Sequence, residues 1–163
     1  MFVSFLFPTY FFLSDVIKRL YLKSNLSTMS DTPKLLLCVE DDEDDCAWIE
    51  EATAEVDPQL VFVAKHNGKA AMQFLDKQKE QNYLPCLILL DINMPVMDGK
   101  QTLTLIKKDP ALKEIPVVVL TTSASKEDQV FCERHGAEII TKPNRIKELK
   151  SAVQHLLLSR CAS

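Results

Sequence analysis

At 163 residues the chain has room for one domain of ordinary size with its own core. Hydrophobic residues at 47% and charged residues at 26% are ordinary globular usage, which excludes a disordered or fibrous chain. The net charge of -4, with no clustered Lys/Arg stripe, argues against a nucleic-acid partner, because phosphate backbones are met by basic surfaces.

Residues 1–28 differ in composition from the rest of the chain. They hold five of the eight phenylalanines and two of the three tyrosines, concentrated between Phe2 and Leu13. The apolar run is too short to span a bilayer. It does not read as a secretory signal either, since Pro8 interrupts it and Lys18 and Arg19 come after it rather than before. Met29 opens a polar lead-in, Ser30 to Lys34, of the kind that begins many cytosolic domains. Residues 1–28 are therefore expected to be an extension outside the fold, with residues 29–163 as the domain and no membrane association. Removing Lys18, Arg19, Lys23 and Asp15 leaves sixteen basic and twenty-two acidic residues, a net charge of -6. Five cysteines, odd in number and scattered, read as buried small hydrophobes in a reducing, cytoplasmic compartment.

From Lys34 onward short apolar runs alternate five times with segments of helical period. The strands are predicted at 34–39, 60–65, 86–90, 117–120 and 138–141, and the helices at 44–55, 69–77, 100–107, 126–135 and 144–158. Pro85 and Pro116 stand before two of the strands. Asp57-Pro58, Asn67-Gly68, Asp98-Gly99 and Asp109-Pro110 read as turns or helix stops. Nearly continuous apolar strands alternating with helices predict an α/β domain with a doubly wound parallel sheet covered on both faces. The last helix is expected to set Ile146, Leu149, Val153, Leu156 and Leu157 against the sheet and to leave Lys147, Lys150 and Gln154 in solvent.

In such a sheet the carboxyl ends of the strands share one edge, where ligands bind. Glu40-Asp41-Asp42 comes after the first strand, Asp91 after the third, Thr121-Thr122 after the fourth and Lys142-Pro143 after the fifth. An acidic pocket with one lysine invites a hard divalent cation and a phosphoryl group. Glu40 to Asp45 are six acids in succession; Asp44 and Asp45 are accounted for as decoration of a helix N-terminus. A calcium loop starting at Asp41 fails, because Cys46 falls at the glycine position and Ala52 at the bidentate glutamate. His66, His135 and His155 have no metal spacing and read as surface or helix-end residues. Met94 and Met97 read as packing or loop residues.

These strand-end residues together resemble the receiver domain of two-component response regulators, over residues 34 to about 158. Within that family Val39-Glu40-Asp41-Asp42, the stretch Leu89 to Pro95 and Val118 to Ser123 resemble the stand-alone regulators associated with bacterial phytochromes and similar histidine kinases. The resemblance implies a flavodoxin-like five-stranded sheet in the order 2-1-3-4-5. It implies Asp91 as phosphoacceptor, attacking a phosphohistidine or small phosphodonor. Asp41 would bind Mg²⁺ directly, Glu40 would act as its acidic companion through a metal-bound water, and Asn93 would offer its backbone carbonyl, leaving its side chain to tune hydrolysis. Lys142 would neutralise phosphoryl oxygens, held by Pro143 through a cis peptide. The Thr121 hydroxyl and the Thr122 N–H would complete the cradle. The partners implied are a sensor histidine kinase or phosphotransfer protein and a downstream protein.

One departure accompanies this. Where the family usually has an aromatic residue in the fifth strand the chain has Ile139, and the spacing from Gly136-Ala137 to Lys142 is one residue shorter than usual. The phosphorylation chemistry is expected to survive, but an aromatic switch does not carry over. Two rivals remain. A haloacid dehalogenase-type phosphohydrolase would place an acid two residues after the nucleophile, where Asn93 stands. A phosphorylation-independent adaptor would have no use for the acidic pair, Asp91 and Lys142. The expected protein is thus not an enzyme beyond its own phosphorylation and slow dephosphorylation.

Overall fold

Strands β1 to β5 are Leu35–Val39, Val61–Lys65, Leu87–Leu90, Val117–Thr121 and Glu138–Thr141, and helices α1 to α5 are Glu43–Val56, Gly68–Gln81, Gly99–Lys108, Lys126–Arg134 and Ile146–Arg160. They come from a computed structural model that describes residues 33–122 and 125–161. The aromatic stretch 1–28, Met29 and Ser123 lie outside the described residues.

All four strand pairings are parallel, in the order β2-β1-β3-β4-β5. Leu37 lies opposite both Val63 and Ile88, Leu90 opposite Val119, and Thr121 opposite Thr141. The chain steps from β1 to one side and then back past it to the other. Crossovers of one hand therefore put the helices on opposite faces. Alternate strand residues serve the two faces. Leu37, Val39, Ile88, Leu90 and Val119 pack with α2, α3 and α4, whereas Leu36, Cys38, Leu87, Leu89 and Leu120 pack with α1 and α5. Burial on both faces is what makes β1, β3 and β4 read as unbroken apolar runs.

Helix boundaries reflect local chemistry. Asp42 caps α1, accepting from the N–H groups of Asp44 and Asp45, and Ser125 and Asp128 form a reciprocal capping box on α4. Asn67 and Asp98 also cap, accepting from Ala70 N–H and Gln101 N–H. Asn67-Gly68 and Asp98-Gly99, expected as turns or helix stops, are accordingly the caps and first residues of α2 and α3, one residue ahead of the predicted starts; Asp57 and Asp109 do end helices. Helix α2 runs to Gln81, past the predicted 77, because Gln78, Lys79, Glu80 and Gln81 are good helix formers even without an apolar stripe. On α5, Ile146 is exposed rather than packed, and Lys150 is drawn from solvent into pairs with Glu51 at 2.6 Å and Glu55 at 3.8 Å.

The cysteines divide. Cys38, Cys46 and Cys132 are free and buried as expected. Cys86 and Cys161 form a disulfide with Cα atoms 5.7 Å apart, which corrects the expectation of five free thiols. Seventy-five residues separate them, so sequence spacing gives no hint; the fold brings the start of β3 to the end of α5. Among the described residues no helix is long and apolar enough to cross a membrane.

Candidate phosphorylation site

The sheet order reverses between β1 and β3, which makes the crevice beyond their carboxyl ends the place where a ligand fits. Glu40 and Asp41 leave β1 there, and Asp91 leaves β3. Carboxylate oxygens of Glu40, Asp41 and Asp91 lie within 4.8 Å of one another; Glu40 and Asp91 are buried and Asp41 is exposed. The donors are all carboxylate oxygens, a hard set that fits a hard divalent cation rather than zinc.

Backbone contacts fix this crevice. Glu40 N–H donates to the Lys65 carbonyl and Asp91 N–H to the Val39 carbonyl, extending the ladders of β1 one residue past the strand ends. Asn93 is exposed, and its N–H donates to Asp91 Oδ2 at 3.1 Å. Gly99 opens α3 against the backbone of Asp91 and Ile92, where a Cβ would collide. Only glycine allows the helix to start so close to the loop that carries Asp91.

Lys142 comes directly after β5, and its N–H donates to the Thr121 carbonyl at 2.8 Å, which ties the ends of β4 and β5 together. Its ammonium is buried and meets three carboxylates, Glu40 at 2.5 Å, Asp45 at 2.9 Å and Asp91 at 3.8 Å. Burial alone would lower its pKa; hydrogen bonds to Glu40 and Asp45 outweigh that and hold the lysine above its ordinary value. Burial pushes Glu40 up to about 7, with Lys142 opposing. Burial likewise raises Asp91, against the pull of Lys142 and of the Ile92 and Asn93 N–H groups. Lys142 therefore stays charged while the two buried carboxyls hold protons more tightly than usual.

Thr121 is fully buried at the end of β4, and Thr122 is exposed beside it. All the residues singled out in the sequence thus reach the same sheet edge, on β1, β3, β4 and β5. The Lys142–Pro143 peptide is trans, contrary to the cis bond expected; trans is the form that a prolyl amide favours, by about 0.5–1 kcal/mol. Ile139, at the position of the missing aromatic, is half-buried and packs on the α2, α3, α4 side of the core.

Two contributors escape a reading of the sequence. Asp45 is more than decoration of a helix end: one turn into α1, it reaches Lys142. His66 is at the surface as expected, and in addition its Nδ1 lies 3.1 Å from the Glu40 carbonyl, bracing the turn after β1. Beneath them the Cys46 thiol lies 3.6 Å from the same carbonyl.

Residues 36–154 match the family described as the response regulator receiver domain. The chain belongs to that family. It is 41% identical over 134 residues to the response regulator Rcp1 of Synechocystis sp., an alignment covering 79% of this chain and 90% of Rcp1. The crystal structure of a phosphorylated cyanobacterial phytochrome response regulator, RcpA, is similar with a TM-score of 0.75 at 34% identity, over 80% of this chain and 96% of that one. The Mn²⁺-bound form of Rcp1 gives a TM-score of 0.70 at 37% identity, over 77% and 93%. These relatives agree with the resemblance to phytochrome-associated regulators, and receiver domains as a class bind a divalent metal and work with histidine kinases or phosphotransfer proteins.

Proposed function

We propose that this receiver takes a phosphoryl group onto Asp91 in a Mg²⁺-dependent reaction and signals by changing a protein-binding face. The observation that carries the reading is the approach of Glu40, Asp41 and Asp91 to within 4.8 Å of one another, with Lys142 3.8 Å from Asp91. In this reading an Asp91 carboxylate oxygen attacks the phosphorus of a phosphohistidine, the P–N bond breaks, the imidazole leaves, and a mixed acyl phosphate remains on Asp91. Asp41, Asp91 and the Asn93 carbonyl would hold Mg²⁺, with Glu40 beside them. The bound ion would neutralise phosphoryl oxygens. Lys142, a compact point charge on a flexible stem, exchanges its carboxylate partners for a phosphoryl oxygen. The Thr121 hydroxyl and Thr122 N–H complete the cradle. Asn93 supplies no acid for a leaving group, so the chemistry ends with phosphorylation and slow hydrolysis of Asp91 itself. The same reading places the domain in residues 29–163 and the protein in the cytoplasm.

The test uses acetyl phosphate with Mg²⁺. One phosphoryl group should appear on Asp91 by intact-mass spectrometry and peptide mapping, EDTA should abolish it, and a chain started at Met29 should label like the full one. Unchanged labelling of Asp91→Asn would overturn the assignment.

A further inference from the structure

Helices α3 and α4 leave an open groove on the outside of the domain, formed by two adjoining concavities of about 460 Å³ and 500 Å³ that share Lys100 and Phe131 as walls. Its floor is apolar. Leu105 on α3 and Val130 on α4 are large aliphatic side chains left 41% and 38% exposed, a placement that gains nothing for the isolated domain. The walls are held in place. Lys100 forms an ion pair with Asp128 across the two helices, and its Nζ lies 5.8 Å from the centre of the Phe131 ring. From the other side the His135 ring packs on Phe131 at 4.2 Å. The groove is thus a fixed shape with an apolar floor, the form in which a helix is bound.

Its charge identifies the kind of occupant. Lys126 and Arg134 stand exposed at the α4 wall, with no ion-pair partner among the described residues, and Glu127 is the one acid among the residues that line this concavity. On a chain of net charge -4 this is a locally basic, apolar surface. Two outward cations are too few to track a nucleic-acid backbone, which is met by an extended basic stripe. They suit a few carboxylates flanking an apolar stripe.

We infer that the α3–α4 groove is a docking site for an amphipathic partner helix that presents apolar residues three or four apart and acidic residues along one flank. The inference deepens the signalling reading by naming its binding face. Helix α4 begins at Lys126, four residues after Thr122, and the Lys100–Asp128 bridge sets the separation of the walls.

The full chain, immobilised, is used to select from a displayed library of short helix-forming peptides. Enriched peptides should combine Asp or Glu with apolar residues at helical spacing. Leu105→Ser and Val130→Ser should each weaken the selected peptides roughly tenfold, as truncation of a buried anchor does. Lys126→Glu with Arg134→Glu should turn the preference from acidic to basic peptides. All four positions are exposed or half-exposed, and circular dichroism checks that the variants fold. Absence of enrichment, enrichment of basic or uncharged peptides, indifference to the Leu105 and Val130 changes, self-association through this face, or binding only to anionic vesicles would each overturn the inference. Asp91 labelling is scored separately. Labelling without acidic-helix binding removes the docking site alone, and binding without labelling removes the phosphorylation reading alone.

Discussion

Lys142 sits closer to Glu40 than to Asp91, with its Nζ 2.5 Å from Glu40 Oε2 and 3.8 Å from Asp91 Oδ1. The lysine is therefore held on the neighbouring acid and on Asp45 more closely than on Asp91. Glu40 is buried for this arrangement, and burial pushes its carboxyl to about 7.

That shift makes the metal-free protein sensitive to pH in a definite direction. The folded state holds a proton on Glu40 that the unfolded chain has released above its ordinary pKa of 4.5. The resulting stability is complete below that value and is lost as pH rises through about 7. Across this window wild type should lose on the order of 3 kcal/mol relative to Glu40→Gln. Urea unfolding in EDTA over the same range measures it, and identical pH slopes for the two proteins would show that Glu40 is not the titrating group.

The crowding of carboxylates gives a second expectation. Like charges 4.8 Å apart repel by about 3 kcal/mol at an effective dielectric near 20, and Lys142 offsets part of this for Asp91. Asp91→Asn removes one charge with little change of shape, so without metal the variant should be the more stable by about 1 kcal/mol. If the folded pocket binds Mg²⁺ as proposed, the ion should narrow the gap, because the variant would lack one of its ligands. A less stable Asp91→Asn protein in EDTA would rule out a repulsive pocket.

How much of this site can be read from the chain depends on what each residue's position depends on. Glu40, Asp41, Asp91, Thr121 and Lys142 end strands, and a parallel sheet sends strand ends to one edge whatever the loops do; their convergence is legible for that reason. Asp45 is not, because its role rests on the rotation of α1, which sets one of the three acids in its first turn toward Lys142. His66 depends on how β2 lies beside β1, and Cys86 and Cys161 on where α5 finishes. Such meetings are set by packing between elements and leave no local signal. The starts of α2 and α3 are ambiguous in sequence for another reason: Asn-Gly and Asp-Gly serve equally as a turn and as a cap with a close-packed glycine after it.

The Cys86–Cys161 bridge closes a loop of 75 residues that runs from the start of β3 through the end of α5. Restricting the unfolded chain over such a loop contributes up to about 4 kcal/mol in the chain-entropy account. Reductant should lower the urea midpoint of wild type, whereas Cys86→Ser should be unfolded at the same midpoint with and without it. In a reducing cytoplasm the pair would stand as thiols and that contribution would be absent. Titration of five free thiols under non-reducing conditions, with no effect of reductant, would exclude the bridge.

Val96 offers a test in the loop that carries Asp91. Its φ is +70°, and Met97 N–H donates to the Pro95 carbonyl at 2.8 Å, so Val96 is the central residue of a tight left-handed turn. A β-branched residue is poorly suited to this conformation, which costs an L-residue roughly 1–2 kcal/mol. Packing returns little, since the side chain is 79% exposed. The turn is nevertheless held from both sides. Gly68 N–H donates to the Met97 carbonyl and Gly99 N–H to the Ile92 carbonyl. Val96→Gly should relieve the local cost, although glycine gives back roughly 0.4–1 kcal/mol through the greater freedom of the unfolded chain. The net gain should be about 0.5–1 kcal/mol, with Val96→Asn intermediate and Val96→Ala close to wild type, because asparagine tolerates this region and alanine does not. Urea midpoints for the three variants give the order. If Val96→Gly is no more stable than wild type, the loop is not strained at this residue and the turn does not persist in solution.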